Sequence, residues 1–197
     1  MEFLNSTISC VPEFKRLLES AKKGNFPIEA SGLSMIHKAL LLSAFIRETK
    51  QRVVLITPDE AQAFTLGEDL KALGVKAKHL PARDYTVAGE MVASKEYEHM
   101  RVDTLSGLLD GDFELLTLSC GSAMQYTISP KELKDNTLLF KEADSLILEE
   151  TCQKLSAAGY VRTEQVEGKG QFAVRGGIID IFAVNRERPC RIELWGD

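Results

Sequence analysis

In this 197-residue sequence, the residues whose types and order come nearest to a known chemistry are Gly32 to Ala39. A phosphate-cradling loop runs G-x-x-x-x-G-K-[ST]. It needs glycines for close backbone approach, a lysine for the β- and γ-phosphates, and a hydroxyl for Mg²⁺. Aligned on Gly32, Lys38 is in place, but His37 replaces the second glycine and Ala39 the hydroxyl. Two of the four requirements are missing, so ATP binding is not expected, and Ser31 or Ser34 is expected simply to cap a helix. Gly168-Lys169-Gly170 precedes a strand, whereas a dinucleotide fingerprint must open a helix. Glu149 and Glu150 are adjacent on a helix and face different directions. No Ser or Cys sits in a nucleophile-elbow context. Cys10, Cys120, Cys152 and Cys190 are scattered without a C-x-x-C pair, which suggests small buried thiols in a reducing compartment. His37, His79 and His99 are far apart in sequence. The expectation is a chain with no catalytic residue, no bound cofactor and no metal.

Near the C-terminus the types suggest recognition instead. In Gln171-Phe172-Ala173-Val174-Arg175 the character alternates with period two, and Gly176-Gly177 is a hairpin signal. A two-residue turn there pairs Arg175 with Ile178. Phe172, Val174, Ile179 and Ile181 then form a core face, while Arg175, Asp180 and Phe182 share the outward one, with Asp180 diagonal to Arg175. An arginine and an aromatic on one exposed sheet face have the composition of an interface hot spot. The rival reading is that another part of a parent protein covers this face. Residues 160–197 hold as many acidic as basic residues, so the net charge of −5 lies in residues 1–159.

Two unlike halves must position these residues. Up to about Gln125, helices alternate with short apolar strands. The helices run Glu13 to Lys22, onward from Gly32, Asp59 to Leu73, and Ser94 to Leu109. The strands are Val53 to Ile56, Val75 to Leu80 and Phe113 to Ser119. That alternation predicts an α/β domain with a parallel sheet and right-handed crossovers. After Pro130, Asn136 to Lys141 resembles a strand and Ser145 to Ala158 a helix opened by Asp144. The strands around 171–175, 178–182 and 191–195 then suggest a small α+β unit with an antiparallel sheet. Ending on a strand without a closing helix, the chain looks cut from a longer protein.

Composition is globular, with 44% hydrophobic and 27% charged residues, which excludes disordered and low-complexity classes. There is no apolar run long enough for a membrane span and no signal-peptide pattern at Met1 to Cys10. The acidic balance argues against a free-standing nucleic-acid binder.

Three segments carry a resemblance. They are Ala158-Gly159-Tyr160-Val161-Arg162, Gly170 to Phe182 (GQFAVRGGIIDIF), and Arg191-Ile192-Glu193-Leu194-Trp195-Gly196-Asp197. In this order they resemble the UvrB-homology region of the bacterial transcription-repair coupling factors (Mfd), and in variant form UvrB itself. Leu80-Pro81, Asp84-Tyr85 and the following helix are similar to the first domain of both. UvrB keeps an intact phosphate loop and inserts a DNA-gripping β-hairpin after its Tyr-Asp motif. This chain lacks the first and has only about eight residues between Tyr85 and Ser94, too few for the second.

The resemblance to the coupling factors implies two domains. Residues 1–126 would be a degenerate P-loop NTPase domain like UvrB domain 1a, and residues 127–197 an incomplete UvrB domain 2. It also implies a non-catalytic, cytoplasmic fragment that imitates UvrB to dock UvrA in nucleotide excision repair. The matching positions are Arg162, Arg175, Arg191 and Glu193, with Phe182 as apolar anchor. UvrB's Arg-x-Arg appears here as Ala173-Val174-Arg175, so one arginine of that pair is missing. ATP, Mg²⁺, RNA polymerase and double-stranded DNA would belong to motor and polymerase-binding parts elsewhere in such a parent. The alternative is a fragment of a divergent UvrB-like, nucleotide-dependent DNA helicase.

Overall fold

The computed structural model describes residues 7–83, 95–142 and 145–195. The Asp84-Tyr85 motif, Ser94, Asp144 and Gly196-Asp197 lie outside the described residues. Two compact units are present, residues 7–83 with 107–125, and residues 95–106 with 126–195.

The first unit contains α1 (Pro12–Lys22), α2 (Met35–Thr49), β1 (Val53–Thr57), α3 (Glu60–Ala72) and β2 (Ala77–Leu80). The last turn of α4 (Lys95–Asp110), β3 (Leu115–Ser119) and the short α5 (Cys120–Ala123) complete it. The strands form a parallel sheet in the order β1-β3-β2, with Val53 and Ala77 both beside Leu115. The central β3 is buried along its whole length, as an apolar strand with neighbours on both edges should be. Helix α3 starts where Asp59 accepts a hydrogen bond from the Gln62 backbone N–H at 2.8 Å, satisfying one orphan donor of the first turn. Leu66 and Leu70 of α3 and Ala39 and Ile46 of α2 pack with Val75, Ala77 and Leu115 as one core.

Helix α2 opens within the Gly32 to Ala39 segment, and among the described residues no strand precedes it. The strand-loop-helix context of a phosphate loop is therefore missing along with its residues. Ser34 does stand at the N-cap, but its hydroxyl makes no cap bond to the helix. It lies 3.0 Å from His37 Nδ1 instead, so neither Ser31 nor Ser34 caps as expected. The cysteine expectation also needs correcting. The four thiols are free, and Cys10, Cys120 and Cys190 are exposed while Cys152 is half-buried.

The second unit contains residues 95–106 of α4, α6 (Pro130–Asp135), α7 (Leu148–Ala157), β4 (Val161–Arg162), β5 (Gln171–Arg175), β6 (Ile178–Phe182) and β7 (Cys190–Glu193). Its sheet is mixed, not antiparallel throughout. β5, β6 and β7 are antiparallel, but β4 runs parallel to β5. A two-residue strand spans only about 7 Å, so the eight residues between Arg162 and Gln171 suffice to return the chain without a crossover helix. The expected strand at Asn136 to Lys141 is absent. Leu138 and Phe140 do alternate inward onto the core while Leu139 is 73% exposed, yet no neighbouring strand supplies a ladder. The preceding α6 escaped the sequence reading, although Ser129 and Glu132 form a reciprocal capping box. Helix α7 begins at Leu148, later than expected, without a side-chain cap. Phe172, Ile179 and Ile181 pack with Leu155 of α7 in the core of this unit.

Candidate protein-docking face

The hairpin forms in the expected register, Arg175 opposite Ile178 and Val174 opposite Ile179. Gly176 has φ +58° and is followed by Gly177 without positive φ, the pattern of a type II′ turn. β7 then places Arg191 beside Asp180 and Glu193 beside Ile178. Register neighbours share a face, so Arg175, Phe182, Arg191 and Glu193 stand together on the side away from Phe172, Ile179 and Ile181. Arg162 does not join them. It pairs with Phe172, so it lies on the core side at the exposed β4 edge. Phe182 is half-buried, while Arg175, Arg191 and Glu193 are exposed. Ala173, on the same outward face, is only 2% exposed.

Asp180 lies diagonal to Arg175, as expected, but its bonded partner is on the other neighbouring strand. Asp180 is held by Arg191, not by Arg175. Arg191 Nε donates to Oδ1 at 2.7 Å and Nη2 to Oδ2 at 3.0 Å. Arg175 Nη2 donates to the backbone carbonyl of Glu164 at 2.7 Å. The hydrogen bond from Arg191 holds the Asp180 carboxyl below its ordinary range, with a smaller contribution from the charge of Arg175. A depressed carboxyl stabilises the fold above its unfolded pKa and loses that contribution as pH falls through the folded value. The pair is therefore intact at neutral pH and opens only in acid. Sequence reasoning missed this partnership because the Asn185–Pro189 connection leaves the β7 register open.

The loop feeding β5 is fixed from α4. Gly170 has φ +76°, and a Cβ there would lie 2.8 Å from His99 Nε2. Burial, then the charges of Lys169 and Lys95, push the His99 pKa down, so the ring packs on Gly170 in its neutral form. Gly170→Ala must accept a left-handed backbone and displace the ring, and is expected to lower stability by about 1–2 kcal/mol. Thermal unfolding of the variant measures this. An unchanged midpoint would mean that the loop relaxes freely.

The first unit holds a polar chain, buried at His79 and Thr117 and half-buried at Glu60, that sequence spacing could not reveal. His79 Nε2 donates to Glu60 Oε1 at 2.9 Å, and its Nδ1 meets Thr117 Oγ1 at 3.1 Å. An acid, an imidazole and a hydroxyl in line suggest a nucleophile relay. However, Thr117 is fully buried, and a Cβ on Gly67 of α3 would lie 3.0 Å from its hydroxyl. No substrate can reach it, so the chain is structural. Thr117→Val keeps the shape but removes the hydroxyl, with an expected loss of about 1–2 kcal/mol. The shift in denaturant midpoint reads this directly. Among the described residues no cluster of three or more metal-type ligands occurs, and no helix is long and apolar enough to cross a membrane.

Residues 138–197, within the second unit, match the family model of the UvrB interaction domain. Beyond it, nearly the whole chain is similar to the transcription-repair-coupling factor of Bacillus subtilis, at 28% identity over 99% of this chain and 17% of that protein. The corresponding factor of Haemophilus influenzae is 28% identical over 81% of this chain and 14% of its own length. The UvrABC system protein B of Chlorobium limicola is 30% identical over 60% of this chain and 17% of that protein. The chain is thus similar both to transcription-repair-coupling factors and to UvrABC system protein B. It spans about a sixth of the length of these relatives.

Proposed function

We propose that this chain is a non-catalytic docking module of a transcription-repair coupling factor, and that it binds UvrA through the outward face of β5–β7. The supporting observation is that Arg175, Phe182, Arg191 and Glu193 share one accessible face inside the matched UvrB interaction domain. In this reading the protein acts in the cytoplasm, in nucleotide excision repair. The ATP-dependent translocase that displaces stalled RNA polymerase on double-stranded DNA, with its ATP and Mg²⁺, belongs to other parts of the parent protein.

The first unit fits a domain of UvrB descent that no longer handles nucleotide. The cavity of about 670 Å³ beside Gly32 to Ala39 is lined largely by Phe14, Leu17, Ile28, Leu33, Leu40 and Leu41. Its Arg16 is paired with Glu13 at 3.1 Å, so a triphosphate would find few free donors there. Arg162 can contribute to docking only by reaching round the β4 edge.

Titration of the chain into purified UvrA, with UvrB as competitor, tests the reading. Saturable binding that UvrB displaces is expected. A folded chain that fails to bind, or one that binds without competition by UvrB, would sink it.

A further inference from the structure

The two arginines of the face are held by different chemistry, and that difference defines what should lie opposite each. The Arg191 guanidinium is engaged side-on, Nε and Nη2 lying 2.7 and 3.0 Å from the two Asp180 oxygens. A guanidinium has five N–H groups, so this pairing leaves its outer fork, one N–H on each Nη, pointing away from Asp180. Asp180 is positioned for this by β6, and its side chain is only 23% exposed, so it is the less mobile partner. Glu193 lies on the same strand and face as Arg191 and adds a second negative charge near it. Arg175 is tethered to a neutral backbone carbonyl instead. A carbonyl orients a guanidinium without cancelling its charge.

We propose that Asp180 is a positioning residue of the docking face, fixing Arg191 with its outer fork toward the partner. The partner then presents neutral oxygen acceptors opposite Arg191 and a carboxylate opposite Arg175. This rests on the docking reading above and specifies the chemistry of the surface the face recognises. The Arg191–Asp180 pair is close to neutral when seen from a partner's distance, and Glu193 tips its surroundings negative. A carboxylate placed there would meet little attraction, whereas a backbone or amide oxygen loses nothing by the neutralisation. At Arg175 the full positive charge remains, so a carboxylate is the matching group.

The test is titration into purified UvrA of the unmodified chain and of Asp180→Asn, Arg191→Ala, Asp180→Asn/Arg191→Ala and Arg175→Ala. Measurements are made at about 50 and 200 mM salt, because screening separates charge from orientation. Asp180→Asn is expected to weaken binding about three- to tenfold at both salts. Added to Arg191→Ala it should cause no further loss, since Asp180 supports binding only through that side chain. Arg175→Ala should flatten the salt dependence, whereas Asp180→Asn/Arg191→Ala, which removes the neutral pair as a unit, should preserve it. A merely structural role for Asp180 would shift the unfolding temperature but would not produce this epistasis.

Stronger or unchanged binding by Asp180→Asn would overturn the inference. So would an equal loss in the presence and absence of Arg191, or equal salt slopes for Arg175→Ala and the double variant. If Asp180→Asn does not fold, Arg191→Lys replaces it. A lysine keeps the charge but cannot pair side-on and still present a fork, so the same loss is expected, and full affinity would be contradictory. Failure of the unmodified chain to bind would instead refute the docking reading itself.

Discussion

Phe172→Ala is expected to destabilise the second unit by about 3–5 kcal/mol, the usual cost of deleting a buried aromatic from a core that collapses incompletely. Phe172 of β5 is fully buried, paired with Ile181 on one side and packed with Leu155 and Ile179. β5 also lies between β4 and β6 in its sheet. Losing its anchor removes contact with α7 and frees the ladder that positions Arg175. Unfolding of a small domain leaves a margin of about 5–15 kcal/mol, so this single change approaches the whole of it. Hydrogen exchange over residues 171–182 reports the local loss, and denaturant titration by circular dichroism gives its size. A loss below about 1 kcal/mol would show that α7 closes onto the vacated space and that the core is far more plastic than close packing implies.

The second large effect is on binding. Arg175→Ala should weaken UvrA association by roughly 2–4 kcal/mol, about thirtyfold to nearly a thousandfold in dissociation constant. Arg175 is exposed at the end of β5, and its bond to the Glu164 carbonyl engages one of its nitrogens. The remaining donors can grip a carboxylate bidentately, and truncation would leave that carboxylate without its partner in a desolvated interface. The chain itself should unfold at nearly the same temperature, because an exposed side chain with one hydrogen bond contributes little to folding. Arg175→Lys is expected to recover part of the affinity through charge while losing the fork. If Arg175→Ala binds UvrA like the unmodified chain, the docking site lies elsewhere on the molecule, and the β4 edge with Arg162 becomes the first place to search.

Much of this was legible in the residues. The alternation of helices with runs such as Val53 to Ile56 required an α/β first unit with a parallel sheet, because buried strands are apolar throughout and need helices on their faces. Gly176-Gly177 and the period-two pattern around it determined the hairpin, its register and which residues face the core, since a one-residue slip would turn every side chain over. That Gly32 to Ala39 has neither the second glycine nor the hydroxyl of a phosphate loop was equally plain. These are local properties, set by chemistry within a few residues.

Other features were decided by elements far apart in the chain. Whether Asp180 met Arg175 or Arg191 depended on where β7 docks, and a connection of several polar residues does not specify that. Arg162 was separated from its expected companions because β4 pairs parallel with β5, placing it beside Phe172. Leu138 to Phe140 alternates like a strand but found no ladder, and the polar line from Glu60 through His79 to Thr117 joins residues nearly sixty positions apart. Side-chain types and short-range spacing fix what a segment can do. Its pairing partners follow from the packing of the whole unit, which removes water from some polar groups and leaves others facing out.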